Sequence, residues 1–305
     1  MRVLVGFDGS DGARDAVKLA RSFCASKDDE VLLVNVVALG MPLPVSYRLL
    51  SASESAEARE LFLEPRKTLA DRTVQTRTYA SDSPTHVIAD ITESGDVDLV
   101  VVGSPHRGPV GRTVLGSVAE GLLHGSSVPI AVAPRGYADR GPDRFEVIAV
   151  AYDGSAESRL ALRNAEAIAG SSGAKIRVLT VFAPAVPMPS AFGYPPPLDF
   201  DVEGLIAEAL GSIDPGIEAE ADRLAGAPAS ALADACETGV DILLAGSRGY
   251  GVLGRVFVGS VTSALICKAP CPVLVIPRCR VTTGDPHADP ARQAEQQVPG
   301  AGSRA

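Results

Sequence analysis

Four stretches of this 305-residue chain occur twice, in the same order in each half. The pairs are residues 3–10 (VLVGFDGS) with 148–155 (IAVAYDGS), 98–104 (DLVVVGS) with 241–247 (DILLAGS), 115–118 (LGSV) with 258–261 (VGSV), and 127–134 (SVPIAVAP) with 271–277 (CPVLVIP). The copies are 145 residues apart at the first pair and 143 apart at the later ones. A period of this length corresponds to a whole domain rather than to one unit of a solenoid. The duplication therefore predicts two tandem homologous domains.

Each copy alternates short apolar runs with helical patterns. In the first copy the predicted strands are residues 2–7, 31–37, 74–79, 97–102 and 128–133, and the predicted helices are residues 11–26, 84–91 and about 114–125. Apolar runs of this kind are typical of strands that are buried on both faces. Five strands alternating with helices predict an α/β fold, a doubly wound parallel sheet with right-handed crossovers. We expect two tandem five-stranded domains of this Rossmann-like or flavodoxin-like type, each with strand order 3-2-1-4-5.

Changes in composition set the expected boundaries. They are residues 1–136 for the first domain, 137–145 for a linker rich in Gly and charge, 146–279 for the second domain, and 280–305 for a tail. The tail lacks apolar periodicity and is expected to be disordered. Residues 38–72 form a variable segment with a helical pattern from Ser53, whereas the second copy has a Pro-rich segment at 184–201. We interpret that segment as a loop or lid over a site, or as a surface insertion.

Composition also excludes several classes of protein. The net charge of −9 argues against a nucleic-acid binder, which needs clustered Lys and Arg. No apolar stretch approaches the length of a membrane span, and the first residues lack a signal-peptide pattern, so we expect a cytoplasmic protein. The cysteines form no CxxC pair and no zinc-ligand spacing, and we expect reduced thiols. They are Cys24, Cys236, Cys267, Cys271 and Cys279.

A glycine-rich loop, residues 246–260 (GSRGYGVLGRVFVGS), follows the fourth strand pattern of the second copy. Its glycines allow positive φ and a close approach of the backbone to a ligand. Gly259 and Ser260 open the next helix, where unpaired N–H groups and the helix dipole favour an anion. The loop therefore indicates a phosphate cradle, although glycine loops also exist for turns alone.

An aspartate follows the first strand of each copy, Asp8 and Asp153. In a 3-2-1-4-5 sheet the first and fourth strands are neighbours where the strand order reverses, and ligands bind beyond their carboxyl ends. Each aspartate and its glycine loop would then face one crevice. Because phosphates repel a carboxylate, the aspartate suits the base or ribose end of a ligand. The alternative is that Asp8 and Asp153 only form Asx-turns that cap the following helix.

The Asp-Gly-Ser turn, the loop Gly-x-x-Gly-x9-Gly-Ser and the closing strand Pro-Val-Leu-Val-Ile resemble those of the universal stress protein family, over nearly the whole chain. The loop fits the motif of the family's ATP-binding branch. The resemblance implies that Asp153 and the backbone of Val181 hold adenosine. It also implies that Gly246, Gly249, Gly259 and Ser260 hold ribose and phosphates, with Arg248 placed to screen phosphate charge. It implies ATP as cofactor, with Mg²⁺ carried by the nucleotide and no dedicated metal ligands in the protein.

The first copy departs from this motif at one position. His106 stands where the motif has its second glycine, and Pro105 and Pro109 remove N–H donors. The remaining motif positions match and would form the first site: Asp8, Val36, Gly103, Gly116 and Ser117. We therefore expect the second crevice to be the better nucleotide site.

Three functions remain open from the sequence. The first is an ATP-binding module of a stress response, in which nucleotide occupancy biases conformation or the choice of an unknown protein partner. The second is an enzyme, at most a slow ATP hydrolase or a nucleotide transferase; no Ser-His-Asp order repeats between the copies, and we assign no catalytic residue. The third is a scaffold without nucleotide, whose closing strands, 128–133 and 273–276, pair between domains and between chains. The same closing strands offer a route to a homodimer.

Overall fold

The computed structural model describes residues 1–38, 47–51, 56–104, 115–182, 201–247 and 259–277. The elements of the first half are β1 (Arg2–Gly6), α1 (Asp11–Phe23), β2 (Glu30–Val37), β3 (Arg48–Leu49), α2 (Ala56–Leu61), α3 (Leu63–Thr68), β4 (Thr73–Ala80), α4 (Pro84–Glu93), β5 (Leu99–Gly103), α5 (Ser117–Gly125) and β6 (Ile130–Ala133). A short helix, α6 (Tyr137–Arg140), connects the halves. The elements of the second half are β7 (Val147–Ala151), α7 (Ala156–Ser172), β8 (Lys175–Phe182), α8 (Val202–Ser212), β9 (Ala219–Ala225), α9 (Pro228–Ala235), β10 (Ile242–Gly246), α10 (Ser260–Lys268) and β11 (Val273–Ile276).

The strand order is β3-β4-β2-β1-β5-β6-β11-β10-β7-β8-β9. Within each half the five predicted strands lie in the order 3-2-1-4-5 and pair in parallel, so the predicted fold is confirmed. The two-residue strand β3, which pairs antiparallel with β4, was not expected. It is too short to leave a pattern in the sequence.

The two sheets join into one. The closing strands β6 and β11 pair antiparallel, with Val273 opposite Val132 and Val275 opposite Ile130. The strands of the two halves therefore run in opposite directions. The carboxyl ends of the first-half strands lie at one side of the continuous sheet, and those of the second-half strands lie at the opposite side. Each closing strand has a neighbour on both sides, which leaves neither edge free for a second copy of the chain.

Helices cover both faces of the sheet. Val3 and Val5 of β1 pack in the core beneath α1 and α7, whereas Leu4 packs in the core beneath α4, α5, α9 and α10. All three side chains are fully buried. This two-sided burial is why the strands read as continuous apolar runs. None of the described helices is long and apolar enough to cross a membrane.

The same turn starts the first helix of each half. Gly9 and Gly154 have φ of 82° and 76°, values that favour glycine. The hydroxyls of Ser10 and Ser155 then cap α1 and α7, each accepting a backbone N–H at 3.2 Å. α1 ends at Phe23, before the predicted residue 26, because Cys24 leaves the helical region at φ −79° and ψ 86°.

The expected linker is a packed part of the structure rather than an exposed connection. Tyr137 and Phe145 are buried, at 3% and 1% exposure, and the Phe145 ring stacks edge-on against Phe23 at 5.1 Å. The buried carboxylate of Asp15 on α1 accepts N–H groups from Gly136 and Ala138 at 2.9 and 2.7 Å. The Gly-rich, charged composition of the segment did not indicate these packing contacts and hydrogen bonds.

Free thiols are found at four of the five cysteines. Cys24, Cys236 and Cys271 are buried and Cys267 is half-buried. Burial raises the pKa of Cys24 to about 12, which disfavours its reactive thiolate. Cys279, the tail and most of the Pro-rich segment 184–201 lie outside the described residues.

Candidate functional site

The first crevice lies at the carboxyl ends of β1, β2 and β5, facing the start of α5. All five residues that the sequence assigns to it line one cavity of about 240 Å³. They are Asp8, Val36, Gly103, Gly116 and Ser117. Pro84 and Ile88 of α4 form its apolar side. His106, Pro105 and Pro109 lie outside the described residues.

The floor of this crevice depends on two glycines in close contact. A Cβ on Gly103 would lie 2.0 Å from the carbonyl oxygen of Gly12, and a Cβ on Gly12 would lie 2.8 Å from that of Ser104. The first turn of α1 therefore rests directly on the end of β5. The sequence interpretation missed Gly12, although a glycine inside the first turn of a helix, where propensity disfavours it, is a signal of close backbone contact.

The start of α5 supplies backbone donors to the crevice. Gly116 is the N-cap, with φ −68° and ψ 147°, and no side chain caps the helix. Ser117 is the first helical residue and is exposed. A helix start with this arrangement suits an anion, because its N–H groups and the dipole point toward the ligand.

Both aspartates form the Asx-turn that was the alternative to ligand binding. One carboxylate oxygen of Asp8 accepts the N–H of Ser10 at 3.0 Å, and Asp153 does the same with Ser155 at 3.0 Å. Asp8 is exposed and Asp153 is half-buried. The Asx-turn uses Oδ1 of each aspartate and does not use Oδ2. An aspartate that forms the turn can therefore also accept a hydrogen bond from a ligand.

The second crevice has a related frame. Gly246 ends β10, Gly259 caps α10 with φ −59° and ψ 147°, and Ser260 begins that helix. Val181 lies near the end of β8, two residues past Leu179, which pairs with the last residue of β7, Ala151. Asp153 follows β7 in the chain. Arg248 and Gly249, the other two predicted residues, lie outside the described part of the chain.

Extra hydrogen bonds tie the start of α10 to the end of β10. The hydroxyl of Thr262 donates to the carbonyl of Gly246 at 2.9 Å, and the N–H of Gly259 donates to the carbonyl of Ser247 at 2.7 Å. In the first half Ala119 takes the place of Thr262, by the offset of 143 residues, and has no hydroxyl to make the first of these bonds.

A buried carboxylate distinguishes the second crevice from the first. Glu157, in the first turn of α7, occupies the position of Gly12 by the offset of 145 residues, and is only 6% exposed. A Cβ at the first-half position would point at the end of β5, and from the repeat we expect the Glu157 side chain to lie toward the corresponding end of β10. Sequence comparison of the motif alone does not detect it, because the position lies outside the motif.

The halves also differ behind the aspartates. The Tyr152 hydroxyl donates to Glu208 at 2.7 Å, and Arg159 donates to the same oxygen at 2.7 Å. Burial, and then Glu208, raises the pKa of Tyr152 to about 12, while Arg159 and then Tyr152 lower the pKa of Glu208. In the first half the equivalent contact is apolar, Phe7 against Phe62.

Aromatic side chains border the first crevice on the β4 side. Tyr79, opposite Val36 in the sheet, packs edge-on against Tyr47 at 5.6 Å, and Tyr47 contacts His86 at 6.1 Å between ring centres. Leu224 takes the place of Tyr79 beside Val181 in the second half. Among the described residues no group of three or more His, Cys, Asp or Glu is placed to hold a metal ion.

Comparison with known proteins gives one consistent result. The sequence profile of the universal stress protein family matches residues 1–134 and 144–277. A universal stress protein of Mycobacterium tuberculosis is 26% identical over 298 residues, which cover 91% of this chain and 100% of that protein. A shorter universal stress protein from Thermus aquaticus is 33% identical over 143 residues, 43% of this chain and 98% of its own length.

A solved structure agrees with the fold. A universal stress protein from Archaeoglobus fulgidus superposes with a TM-score of 0.66, at 22% identity, over 91% of this chain and 98% of that one. This likeness covers both halves together.

Proposed function

This chain belongs to the universal stress protein family, and we propose from that premise that it binds ATP at the carboxyl ends of its strands. The observation that carries the proposal is the first cavity. The five predicted residues, of which Asp8 and Ser117 are 109 positions apart in sequence, meet there around one space. Asp8 and the backbone of Val36 stand at one end for the nucleoside, and the α5 start at the other for phosphate.

The size of the cavity fits part of a nucleotide. Its volume of about 240 Å³ is below the roughly 300–1,000 Å³ of typical small-molecule sites. The triphosphate would then extend past the described residues, toward the segment 105–114. Mg²⁺ would enter with the nucleotide and take phosphate and water oxygens, as is usual for this ion.

We assign nucleotide occupancy a regulatory role in a cytoplasmic stress response. We assign no catalytic residue, and slow hydrolysis is the most that we expect. Occupancy would instead bias the conformation read by a protein partner. A homodimer would need a surface other than the closing strands, since these pair with each other.

Equilibrium dialysis of the full chain against labelled ATP tests the proposal, together with mass spectrometry of nucleotide released from protein purified without added ATP. Gly116→Val should abolish binding at the first crevice, because its side chain covers the α5 start. Gly125→Val is the matched control, at the exposed end of the same helix where a Cβ meets nothing within 4 Å. Gly246→Val makes the equivalent change in the second crevice.

Wild-type protein that binds no ATP would refute the proposal, as would Gly116→Val and Gly246→Val variants that bind as the wild type does. Multiple turnovers of ADP formation, lost in the same variants, would favour the enzyme instead.

A further inference from the structure

The linker fills a groove between the two halves. Tyr137 of α6 lies against α1 beside Ser22, near Asp241 and Cys271 of the second half. The carbonyl of Pro142 accepts the hydroxyl of Ser22 at 2.6 Å, which fixes the segment along the helix. The Tyr137 ring thus covers one side of the junction between β6 and β11.

The junction has a second side, related to the first by the repeat. By the offsets of 145 and 143 residues, the counterparts of Ser22 and Asp241 are Ala167 on α7 and Asp98 before β5. Both residues border a cavity of about 620 Å³ between α1 and α7. Its apolar lining comes from both halves: Phe23, Leu99, Pro129, Ile168 and Leu274. None of the described residues covers the junction in this second groove as the Tyr137 ring covers it in the first.

The chain leaves β11 beside this groove. Val275 pairs with Ile130, so the antiparallel register brings Pro277 level with Val128, next to Pro129 in the cavity wall. The first half leaves β6 with the sequence Pro134-Arg135, and the second half leaves β11 with Pro277-Arg278. Three residues after Pro134 comes Tyr137, and three residues after Pro277 comes Arg280.

Arg280 can reach the groove and suits its charge. Three extended residues span up to about 10 Å, which covers the distance from the cavity wall to its centre. The groove contains two carboxylates, Asp29 and Asp98. Asp29 is occupied by the Met1 ammonium at 2.8 Å. Asp98 is exposed, and from the described part of the chain it accepts one hydrogen bond, from the N–H of Arg2 at 2.7 Å.

We infer that the segment after Pro277 docks in the groove between α1 and α7, with Arg280 beside Asp98, as the linker docks in the equivalent groove on the other side of the junction. The arginine stem covers apolar surface while its guanidinium meets the carboxylate. The segment then holds the two halves together at a second point. This inference is independent of nucleotide binding.

Disulfide trapping in the full chain tests the inference, because Cys279 stands next to Arg280. Ala167→Cys places a thiol on the groove wall at an exposed position. Under oxidised glutathione we expect a Cys279 disulfide to position 167 in most molecules, identified by peptide mapping. Gly170→Cys is the matched control, on the same helix, exposed and outside the groove, with nothing within 4 Å of a Cβ; it should form none.

A charge exchange gives a second readout. Arg280→Glu should lower the disulfide yield of Ala167→Cys about threefold, as for the loss of an exposed ion pair. Adding Asp98→Lys should restore it. Equal yields at positions 167 and 170, or insensitivity to Arg280→Glu, would overturn the inference. A disulfide between two chains would also overturn it and assign the groove to a second copy.

Discussion

The two halves share a frame and differ in what faces their crevices. Strand order and the Asp-Gly-Ser turn agree, down to the 3.0 Å bond of each Asx-turn. In the first turn of the first helix, however, the first half has Gly12 and the second has the buried residue Glu157. The halves therefore share most of the motif residues and differ at positions beside the motif. Matching the loop motif therefore does not by itself rank the two sites.

The motif favoured the second crevice, because His106 interrupts the loop of the first. Glu157 predicts the opposite order of affinity, because a carboxylate close to the phosphates of ATP would repel them and weaken binding. The following variants are arranged from the largest expected effect to the smallest, and each asks whether a difference between the halves has the consequence we assign to it.

Gly103→Val should have the largest effect. Its Cβ would lie 2.0 Å from a backbone oxygen of Gly12, so α1 must move off the end of β5. We expect a loss of about 3 kcal/mol or more in the free energy of unfolding, measured by urea titration. Gly125→Val, in open space, should lose less than about 1 kcal/mol. Equal midpoints for the two variants would contradict the close contact.

Asp15→Ala should come second. Asp15 holds two linker N–H groups, whereas its counterpart on α7, Leu160, makes no such bond through its side chain. Removal leaves two donors without their acceptor, at a cost of about 2 kcal/mol. Hydrogen exchange of the Gly136 and Ala138 amides should accelerate together. If they exchange as in the wild type, the linker is not anchored by Asp15.

Glu157→Gln tests the difference at the phosphate end. The change makes the second crevice less negative, so ATP should bind there about tenfold more tightly. Titration calorimetry in a Gly116→Val background isolates the second site. Glu146→Gln, an exposed carboxylate away from either crevice, is the charge-matched control. Unchanged ATP binding by Glu157→Gln would contradict the expected repulsion, and weaker binding would show that the carboxylate supports the site.

Tyr152→Phe should have the smallest effect and one that depends on pH. The pKa of Tyr152 is raised from its ordinary 10.0 to about 12 in the folded chain. The folded state therefore keeps the proton that the unfolded chain loses, and this stabilisation is complete below pH 10 and is lost as pH rises toward 12. Replacement by Phe, the residue at the equivalent position 7, should reduce the decline in urea midpoint over that range. Other groups with raised pKa values, among them the buried Tyr137 and Cys24, both at about 12, contribute to the decline that remains.

Local pattern was enough to predict the sheet but not its contacts. The apolar runs predicted the central strands of each half, which are buried on both faces, whereas the outer strands β4 and β9 are more polar and only partly buried. The pairing of β6 with β11 was predicted only within the scaffold alternative, because the sequence of a strand does not show which other strand it pairs with. Gly12 and Glu157 were missed for a related reason: their importance lies in a tertiary contact with the end of another strand.

The linker shows how composition can mislead. Its glycines and charges indicated a linker between the domains, and Asp15 and two aromatic residues hold that segment in the junction. The aromatic residues were the available signal, because large rings are seldom left in solvent.

The antiparallel junction has a geometric consequence for any partner that senses both nucleotides. Four strand spacings separate the first crevice from the second, roughly 20 Å across the sheet at about 4.8 Å each. With a twist of roughly 20–25° per strand, the two openings are also turned by about a right angle, besides pointing to opposite edges. A single flat surface cannot touch both. Under the proposed function, a partner that contacts one crevice would therefore leave the other crevice free on a different side of the molecule.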